Sequence, residues 1–334
     1  MSTRASRLEP VKSYIASQIV PLSVLVLIVA IASILSPVFF TAVNISNLFL
    51  QVSFNMIISM GMYMAILSGG VDLSVGSMTV VCAVLVAGLM NVFEPMYGMA
   101  GLWLAILLAV LAGTSMGTVN GLVVSKLKVA PFIATLGMMS LARGIALWYT
   151  GALTIGIRDL SSFDFFSELA NGRLLAVGQF AGIPIPAVIW VVFVGISFFI
   201  VRYTVLGRVM FAIGGNEEAA RLSGIRTSRY RVFPYAFSGF CCGIAGVLLT
   251  SRLGIGSHMS GEGWELTSMA AVVIGGTKFG GGEGHIGGVV IGVFILGVIN
   301  NIMNLMNVPA HPQLMFTGAI IIAAVVLSSV KLKR

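Results

Sequence analysis

Residues 100–123 read AGLWLAILLAVLAGTSMGTVNGLV, a run without a charged side chain. A helix needs about 20 apolar residues to cross the hydrocarbon core of a membrane, so this run is long enough to span it. Comparable runs recur in both directions along the chain and give ten candidate spans: about 17–35, 46–67, 73–90, 100–123, 131–149, 185–202, 230–252, 264–276, 286–305 and 312–330. The sequence therefore predicts an all-α fold, a polytopic integral membrane bundle of about ten transmembrane helices.

The composition also indicates a membrane protein. Of the 334 residues, 58% are hydrophobic and 9% are charged, against about 25% charged in ordinary soluble domains. This composition excludes a soluble protein and predicts a single transmembrane domain over 1–334. A net charge of +8 would suggest nucleic acid in a soluble chain, but no base-stacking or DNA-binding pattern accompanies it. We therefore expect the lipid bilayer, and no nucleic acid, as a partner.

The basic residues predict how the chain is oriented. Lys and Arg accumulate on the cytoplasmic side of membrane proteins, and most of the 19 Lys and Arg residues fall on one side if the N-terminus is inside. The first run has no convincing cleavage site and is followed by further spans, so it is interpreted as an uncleaved helix. Both termini and the loop 203–229 are then cytoplasmic, and 151–184 is an external, periplasmic-type loop.

Glycine recurs at four-residue spacing in three of the apolar stretches. Such stripes let helix backbones approach closely in a membrane, where lipid supplies no hydrophobic drive for helix association. Packing within one subunit is the interpretation adopted, and a dedicated dimer face is the alternative. The stripes are Gly113, Gly117 and Gly121; Gly284, Gly288 and Gly292; and Gly239 with Gly243.

The sequence lacks the motifs of an enzyme. It contains no G-x-x-x-x-G-K-[ST] or H-E-x-x-H pattern, so it has no P-loop of its own. Its one G-x-S-x-G match, 113–117 (GTSMG), lies inside the fourth apolar run and not at the strand-to-helix turn that a catalytic nucleophile of this type needs. The three histidines are isolated, and the three cysteines lie in apolar runs without C-x-x-C spacing. We expect no catalytic residue, no metal site and no cofactor in this chain.

The spans carry almost no charge, which bears on ion coupling. Secondary transporters usually place ionisable residues at mid-membrane. Here Arg143 lies within the fifth run and Asp72 at the start of the third, without an evident partner. Ion coupling is disfavoured, and an ion-coupled secondary transporter is retained as the alternative.

Two glycine-rich stretches interrupt the apolar pattern: 68–77, SGGVDLSVGS, and 275–284, GGTKFGGGEG. Non-helical backbone at membrane depth must be buried in protein or line a cavity. The functional interpretation is that both border the translocation path or its cytoplasmic gate, and the alternative is a simple tight turn. The candidate path or gate residues are Gly69, Gly70, Asp72, Ser74, Arg143, Gly275 and Gly276.

The stretch 212–225, AIGGNEEAARLSGI, predicts a short cytoplasmic helix. Asn216 is a helix-capping residue, two glutamates follow at the positive N-terminal end, and Gly224 suits a left-handed C-terminus. A helix of about two turns is too short to be stable alone, so we expect it to pack against something. Ala219 and Ala220 would enter a groove on a partner; the alternative is an ordinary amphipathic helix on the membrane surface.

Several of these motifs occur together in one known family. They are 69–76 (GGVDLSVG), 131–136 (PFIATL) with Arg143 and Gly144, 214–225, 263–282 and 300–305 (NNIMNL). The chain resembles the permease subunits of ATP-binding-cassette importers, in the branch that includes ribose, galactose and xylose permeases. The resemblance covers roughly 69–305, with the motifs in the expected order.

The resemblance implies a ten-helix permease in the bacterial inner membrane. Such permeases pair with a second permease subunit, as a homodimer or heterodimer, and receive a sugar from a periplasmic sugar-binding protein. A cytoplasmic ATPase subunit binds ATP and Mg and drives import. The resemblance also implies that a coupling segment docks into the ATPase: Asn216, Glu217, Glu218, Ala219, Ala220, Arg221, Leu222, Ser223 and Gly224.

Overall fold

The chain is almost entirely helical in the computed structural model, which describes residues 5–158, 160–175 and 182–331. Parts of the predicted cytoplasmic termini and of the predicted external loop 151–184 therefore lie outside the described residues. The helices in chain order are α1 (Ala5–Leu35), α2 (Ala42–Leu67), α3 (Val75–Tyr97), α4 (Met99–Lys126), α5 (Pro131–Thr150), α6 (Phe163–Asn171), α7 (Ile185–Tyr203), α8 (Val205–Gly215), α9 (Glu217–Leu222), α10 (Thr227–Tyr230), α11 (Val232–Leu253), α12 (Trp264–Ile274), α13 (Ile286–Leu305) and α14 (Ala310–Lys331).

Each predicted apolar run coincides with one of these helices. Among the described residues, eight helices are long and apolar enough to cross a membrane: α1 to α5, α7, α11 and α13. The polytopic helical fold is thereby confirmed. The count of ten crossings stays a prediction, because α12 has only 11 residues and a full span needs about 20.

The helices form an inner and an outer set. The apolar windows of α2, α3, α11 and α13 are mostly buried, whereas less than a third of each window is buried in α1, α4, α5 and α7. A membrane helix that is apolar all round satisfies its backbone internally and offers either lipid or another helix an apolar face. We infer that the outer set contacts lipid and that α2 forms the centre of the bundle.

Glycine stripes make the closest helix contacts. On α4, Gly113 lies against Gly239 of α11, and Gly117 faces the backbone of Tyr235 and Gly239. Gly292 faces Ala271 in the same way. Packing within the subunit therefore accounts for the stripes. Gly284 differs from its predicted role, because α13 begins only at Ile286.

Replacing Gly117 by Leu should destabilise the bundle. A Cβ atom there would lie 2.9 Å from the amide nitrogen of Gly239, and backbone cannot move aside as a flexible side chain can. Overpacking of this kind costs about 1–3 kcal/mol. Thermal unfolding of the purified chain in detergent measures the effect. Gly137→Leu is the matched control, since nothing lies within 4 Å of the corresponding position on α5; equal stability of both variants would contradict the packing role.

The segment after α5 contains short elements rather than a domain. β1 (Ile155–Gly156) pairs antiparallel with β4 (Ile255–Gly256), and β2 (Arg173–Leu174) pairs antiparallel with β3 (Ile183–Pro184). These two-residue strands are the only sheet among the described residues. The first pair joins the segment to the end of α11.

The eighth predicted span, 264–276, is mostly the short helix α12, and a non-helical segment precedes it. From Gly256, whose position faces Ala83 and Ala87 of α3, the chain runs to Gly261, which contacts Gly76 at the start of α3. Only then does α12 begin, at Trp264. Trp264 packs against Phe54, near the middle of α2, with ring centroids 6.4 Å apart. Gly256 and Gly261 are buried, whereas Met259 between them is exposed, so protein encloses this non-helical segment only in part.

Candidate functional site

The predicted short helix is present as α9, with the predicted caps. The Asn216 side-chain oxygen accepts a hydrogen bond from the Ala219 amide at 2.9 Å, which satisfies one free N–H of the first turn. Gly224 ends the helix with φ of +83°, and its amide donates to the Arg221 carbonyl at 3.0 Å. The left-handed conformation carries little steric cost at glycine, so the chain can turn sharply there.

The inner side of α9 packs on its own chain, which corrects one expectation. Ala220 is only 5% exposed and forms a small cluster with Val209 and Ile213 of α8, against which Ile225 and Tyr230 pack. The residue expected to enter a partner's groove is therefore buried within the subunit. The sequence did not predict α8, and its apolar side is what fixes Ala220 inward.

The outer side of α9 is open. Ala219 is exposed, and Leu222 is 76% exposed although it is a large apolar side chain. Beside them Arg221 and Glu218 form an exposed ion pair with Nη2 and Oε1 2.6 Å apart, and the hydrogen bond from Arg221 lowers the pKa of the Glu218 carboxyl. An exposed pair of this kind adds little stability. The outer face thus has a small apolar centre with a polar edge.

Glu217 ties α9 to the start of α11. Its Oε2 lies 2.6 Å from Nη1 of Arg231, and the arginine side chain is only 16% exposed. A charge-assisted hydrogen bond in partly buried surroundings is stronger and less screened than one in water. This ion pair therefore connects α9 to the residue that precedes α11.

Glycines from three distant segments contact one another at the end of α8. We call this contact the glycine junction, and it consists of Gly69, Gly214, Gly281 and Gly282. The amide of Gly282 donates to the carbonyl of Leu67, the last residue of α2, at 3.0 Å. A Cβ on Gly214 would overlap that same carbonyl oxygen, and a Cβ on Gly281 would lie 2.6 Å from the amide nitrogen of Gly69. The two glycine-rich interruptions thus contact each other and the end of α8.

Asp72 holds the first interruption together. Its Oδ1 accepts from the hydroxyl and the amide of Ser74 at 2.5 and 3.1 Å, and its Oδ2 accepts from the Ser238 hydroxyl at 2.7 Å. Asn120 Nδ2 donates to Ser74 Oγ at 2.9 Å. All four residues are buried, and a buried polar group must be hydrogen-bonded to be tolerated. The network joins the interruption to α4 and α11, and Asp72 does not face an open path in this conformation.

The other candidate path residues are distributed over the same region. Gly70 faces the hydroxyl of Tyr235. Arg143 donates from Nη1 to the carbonyls of His258 and Ser260 at 2.7 and 3.3 Å, so it satisfies backbone of the non-helical segment that precedes α12. Gly275 contacts Gly288 at the start of α13, while Gly276 takes φ of +87°. A role for these residues in transport stays a prediction.

A polar cavity that the sequence analysis missed lies between α2, α11, α12 and α13. Its volume is about 580 Å³. Polar side chains at 44, 47, 51 and 55 recur at helical spacing along α2 and would have been the sequence signal. The cavity is lined by Asn44, Asn47, Leu50, Gln51, Phe54, Asn55, Arg252, Trp264, Asn300, Asn301, Asn304 and Leu305.

Known proteins resemble this chain over almost its whole length. It is 41% identical over 309 residues to the ribose import permease protein of Bacillus subtilis, with 92% of this chain and 91% of the relative covered. It is 38% identical over 303 residues to the ribose import permease protein of Haemophilus influenzae, covering 90% of each. It is also 38% identical over 306 residues to the D-allose transport system permease protein of Escherichia coli, covering 91% and 89%. No solved structure matches it.

The family resemblance drawn from the motifs is confirmed by these relatives and by a family match that spans residues 44–325. That match includes α2 to α13, and hence α9, the glycine junction and the cavity. The chain therefore belongs to the family described as the branched-chain amino acid transport system permease component.

Proposed function

We propose that this chain is the permease subunit of an ATP-binding-cassette importer that carries a pentose, a hexose or a related small polar solute into the cytoplasm. The relatives named for ribose and D-allose cover about nine-tenths of the chain, and they support a sugar as the solute. ATP and Mg would be bound by a partner ATPase subunit, because this chain carries no P-loop motif.

The observation that carries the proposal is the outer face of α9. Leu222 is exposed on a capped, six-residue helix whose inward contact is supplied by Ala220. Exposed apolar side chains with a polar rim are typical of docking surfaces. We therefore assign this face to the ATPase subunit, as the coupling segment from Asn216 to Gly224.

The glycine junction provides a route from this surface to the spans. A displacement of α8 and α9 would move the ends of α2 and the 275–285 loop with it, because their backbones are in contact. ATP binding that favours one position of α9 would then shift the population between outward-facing and inward-facing states. The remaining partners are a periplasmic sugar-binding protein and a second permease subunit, identical or related.

The orientation follows from the basic residues, with both termini and 203–229 cytoplasmic in the inner membrane. Ser223→Cys and Leu153→Cys should therefore react oppositely with an impermeant thiol reagent added to intact cells. Both positions are exposed, and the native cysteines Cys82, Cys241 and Cys242 are buried. Only Leu153→Cys should label from outside; labelling of Ser223→Cys before the membrane is opened would contradict this orientation.

Uptake by whole cells tests the function itself. Cells with the intact transporter should accumulate D-ribose, D-allose or L-arabinose, and deletion of this chain should abolish accumulation. ATP depletion should stop uptake, whereas an ionophore that leaves ATP intact should not. Uptake that survives ATP depletion and is stopped by the ionophore would favour an ion-coupled secondary transporter. Loss of none of the three sugars on deletion would contradict the proposed solute class.

A further inference from the structure

The cavity between α2 and α13 has an unusual lining for a membrane protein. Seven of its twelve lining residues are Asn or Gln. Asn44 and Asn301 are buried, whereas Asn47, Gln51 and Asn304 are exposed, so the cavity is open on one side. The concentration of amides around one space favours a polar occupant. Its volume of about 580 Å³ lies within the range of small-molecule sites, roughly 300–1,000 Å³.

The helix α2 contributes a continuous row of amides. Asn44, Asn47, Gln51 and Asn55 follow one another at spacings of three, four and four residues, which places them on one face. With a rise of about 1.5 Å per residue, the row covers roughly 16 Å along the helix. It starts at the end of α2 that we assign to the outside and ends near the middle of the bundle. A polar solute moving along this row would meet a new amide at each turn.

The first amide of the row, at the start of α2, is held by hydrogen bonds to α13. Asn44 and Asn301 exchange two hydrogen bonds, of 3.1 and 3.0 Å between Nδ2 and Oδ1 atoms, and both residues are buried. Asn44 Nδ2 also donates to the Phe39 carbonyl at 2.8 Å. These contacts hold the side chains of Asn44 and Asn301 in a fixed orientation, so this end of the site is formed before any solute binds.

Lower in the row, Asn55 carries an unused acceptor. Its Oδ1 is buried and has no hydrogen-bond partner among the described residues. An unsatisfied buried acceptor costs roughly 1–3 kcal/mol, so its retention calls for an explanation. A solute hydroxyl that donates to Oδ1, after the Asn55 side chain has rotated to face the filled cavity, provides one.

The apolar part of the lining suits the other surface of a monosaccharide. Trp264, the first residue of α12, lines the cavity and packs against Phe54. Sugar rings have hydroxyl edges and apolar C–H faces, and a flat indole offers area for such a face at low conformational cost. Amides match the edges, because each amide both donates and accepts, as each hydroxyl does.

The charges around the cavity disfavour an amino acid. None of the twelve described lining residues is Asp or Glu, and the one cation, Arg252, already donates from Nη1 to Asn171 at 3.2 Å. The ammonium group of an amino acid would enter without a counter-charge, which is costly at membrane depth. A neutral polyhydroxylated solute meets no such penalty.

We propose that this amide-lined cavity is a solute-binding site of the permease itself, in which Asn55, Gln51 and Trp264 hold a neutral monosaccharide during translocation. The proposal rests on the proposed function as a sugar importer and adds that the permease, not only an external binding protein, selects its solute. Asn55 supplies an acceptor for a hydroxyl, Gln51 a donor and an acceptor, and Trp264 the apolar face.

Asn55→Leu in the intact transporter tests the proposal. The two side chains are similar in size, and the lost Oδ1 makes no hydrogen bond in the empty cavity, so thermal stability should be unchanged or higher. Sugar uptake should fall roughly tenfold or more. The matched control is Asn91→Leu on α3, outside the cavity, where Nδ2 bonds Gly156 and Oδ1 accepts from the Arg158 amide. It should lose stability and keep uptake per folded molecule.

Wild-type uptake by Asn55→Leu would overturn the proposal. A fall in uptake that is matched by an equal loss of folded protein would overturn it as well, since the role would then be structural.

Protection of Gln51→Cys from thiol labelling separates this site from the proposed function. Membranes containing the full chain are treated with a small thiol reagent, with D-ribose, D-allose, L-arabinose or L-leucine present at high concentration. A sugar should slow labelling several-fold, and L-leucine should not. The reaction needs no ATPase, so protection is measurable even if ATP-driven uptake is absent. Protection by L-leucine, or by none of the sugars while sugar uptake is normal, would overturn the site and leave the function standing.

Discussion

Gly214→Ala is expected to abolish most sugar uptake, although it adds a single methyl group. The new Cβ would overlap the carbonyl oxygen of Leu67 and the amide of Gly282. Both are backbone atoms, and they are hydrogen-bonded to each other at 3.0 Å. The methyl group can be accommodated only if the glycine junction opens. Overpacking costs about 1–3 kcal/mol, which is enough to change a conformational equilibrium about fivefold to more than a hundredfold.

The neighbouring glycine provides the control. A Cβ on Gly215 has nothing within 4 Å, so Gly215→Ala should insert, assemble and transport like the wild type. Uptake and ATP hydrolysis of the assembled transporter, compared with the amount of membrane-inserted permease, measure both variants. Normal transport by Gly214→Ala would show that the three segments need not stay in contact, and coupling would have to follow another route.

Leu222→Asp is expected to uncouple the permease from its ATPase. Full burial of a leucine is worth about 1.5–3 kcal/mol, and a carboxylate buried at the same place without a partner is unfavourable. Uptake and transport-coupled ATP hydrolysis should fall together, by roughly tenfold or more. The permease should still insert and fold, because Leu222 is 76% exposed and contributes little to the subunit's own packing.

Leu153→Asp is the matched control for this substitution. Leu153 is 71% exposed and lies in the segment that we place on the opposite side of the membrane. The assembled transporter that carries Leu153→Asp should hydrolyse ATP at the wild-type rate. If Leu222→Asp assembles, transports and hydrolyses normally, α9 is a surface helix without a docking role. Ala220→Arg is not suitable for this test, since Ala220 is buried in the subunit and the variant would fail for structural reasons.

Local patterns in the sequence were sufficient for the long helices and for α9. The apolar runs predicted the position of each span, and Asn216 with Gly224 predicted both ends of α9. Hydropathy and capping act over a few residues, so they can be read without knowledge of the rest of the chain. The amide row on α2 has the same local character, since its helical spacing is visible in the sequence.

Contacts between distant segments could not be predicted in this way. Ser238 reaches Asp72 from 166 positions away, and Arg143 reaches the His258 carbonyl from 115 positions away. The local sequence does not indicate such a partner, so Asp72 and Arg143 had no evident hydrogen-bond partners in the sequence. The same holds for Ala220, whose orientation depends on α8. The glycine junction is a contact of backbone with backbone, and backbone contacts leave no periodic signal.

The division of α9 into two faces has a consequence for how importers of this kind diversify. Glu217 and Ala220 bind the helix to its own subunit, whereas Ala219 and Leu222 point away from it. Substitutions on the outer face can therefore accumulate without disturbing the inner one. A duplicated permease could acquire a different ATPase partner by changing a few outward side chains. It would keep its solute preference, which we place in the first half of α2. The choice of ATPase and the choice of solute would then evolve as separable traits of one polypeptide.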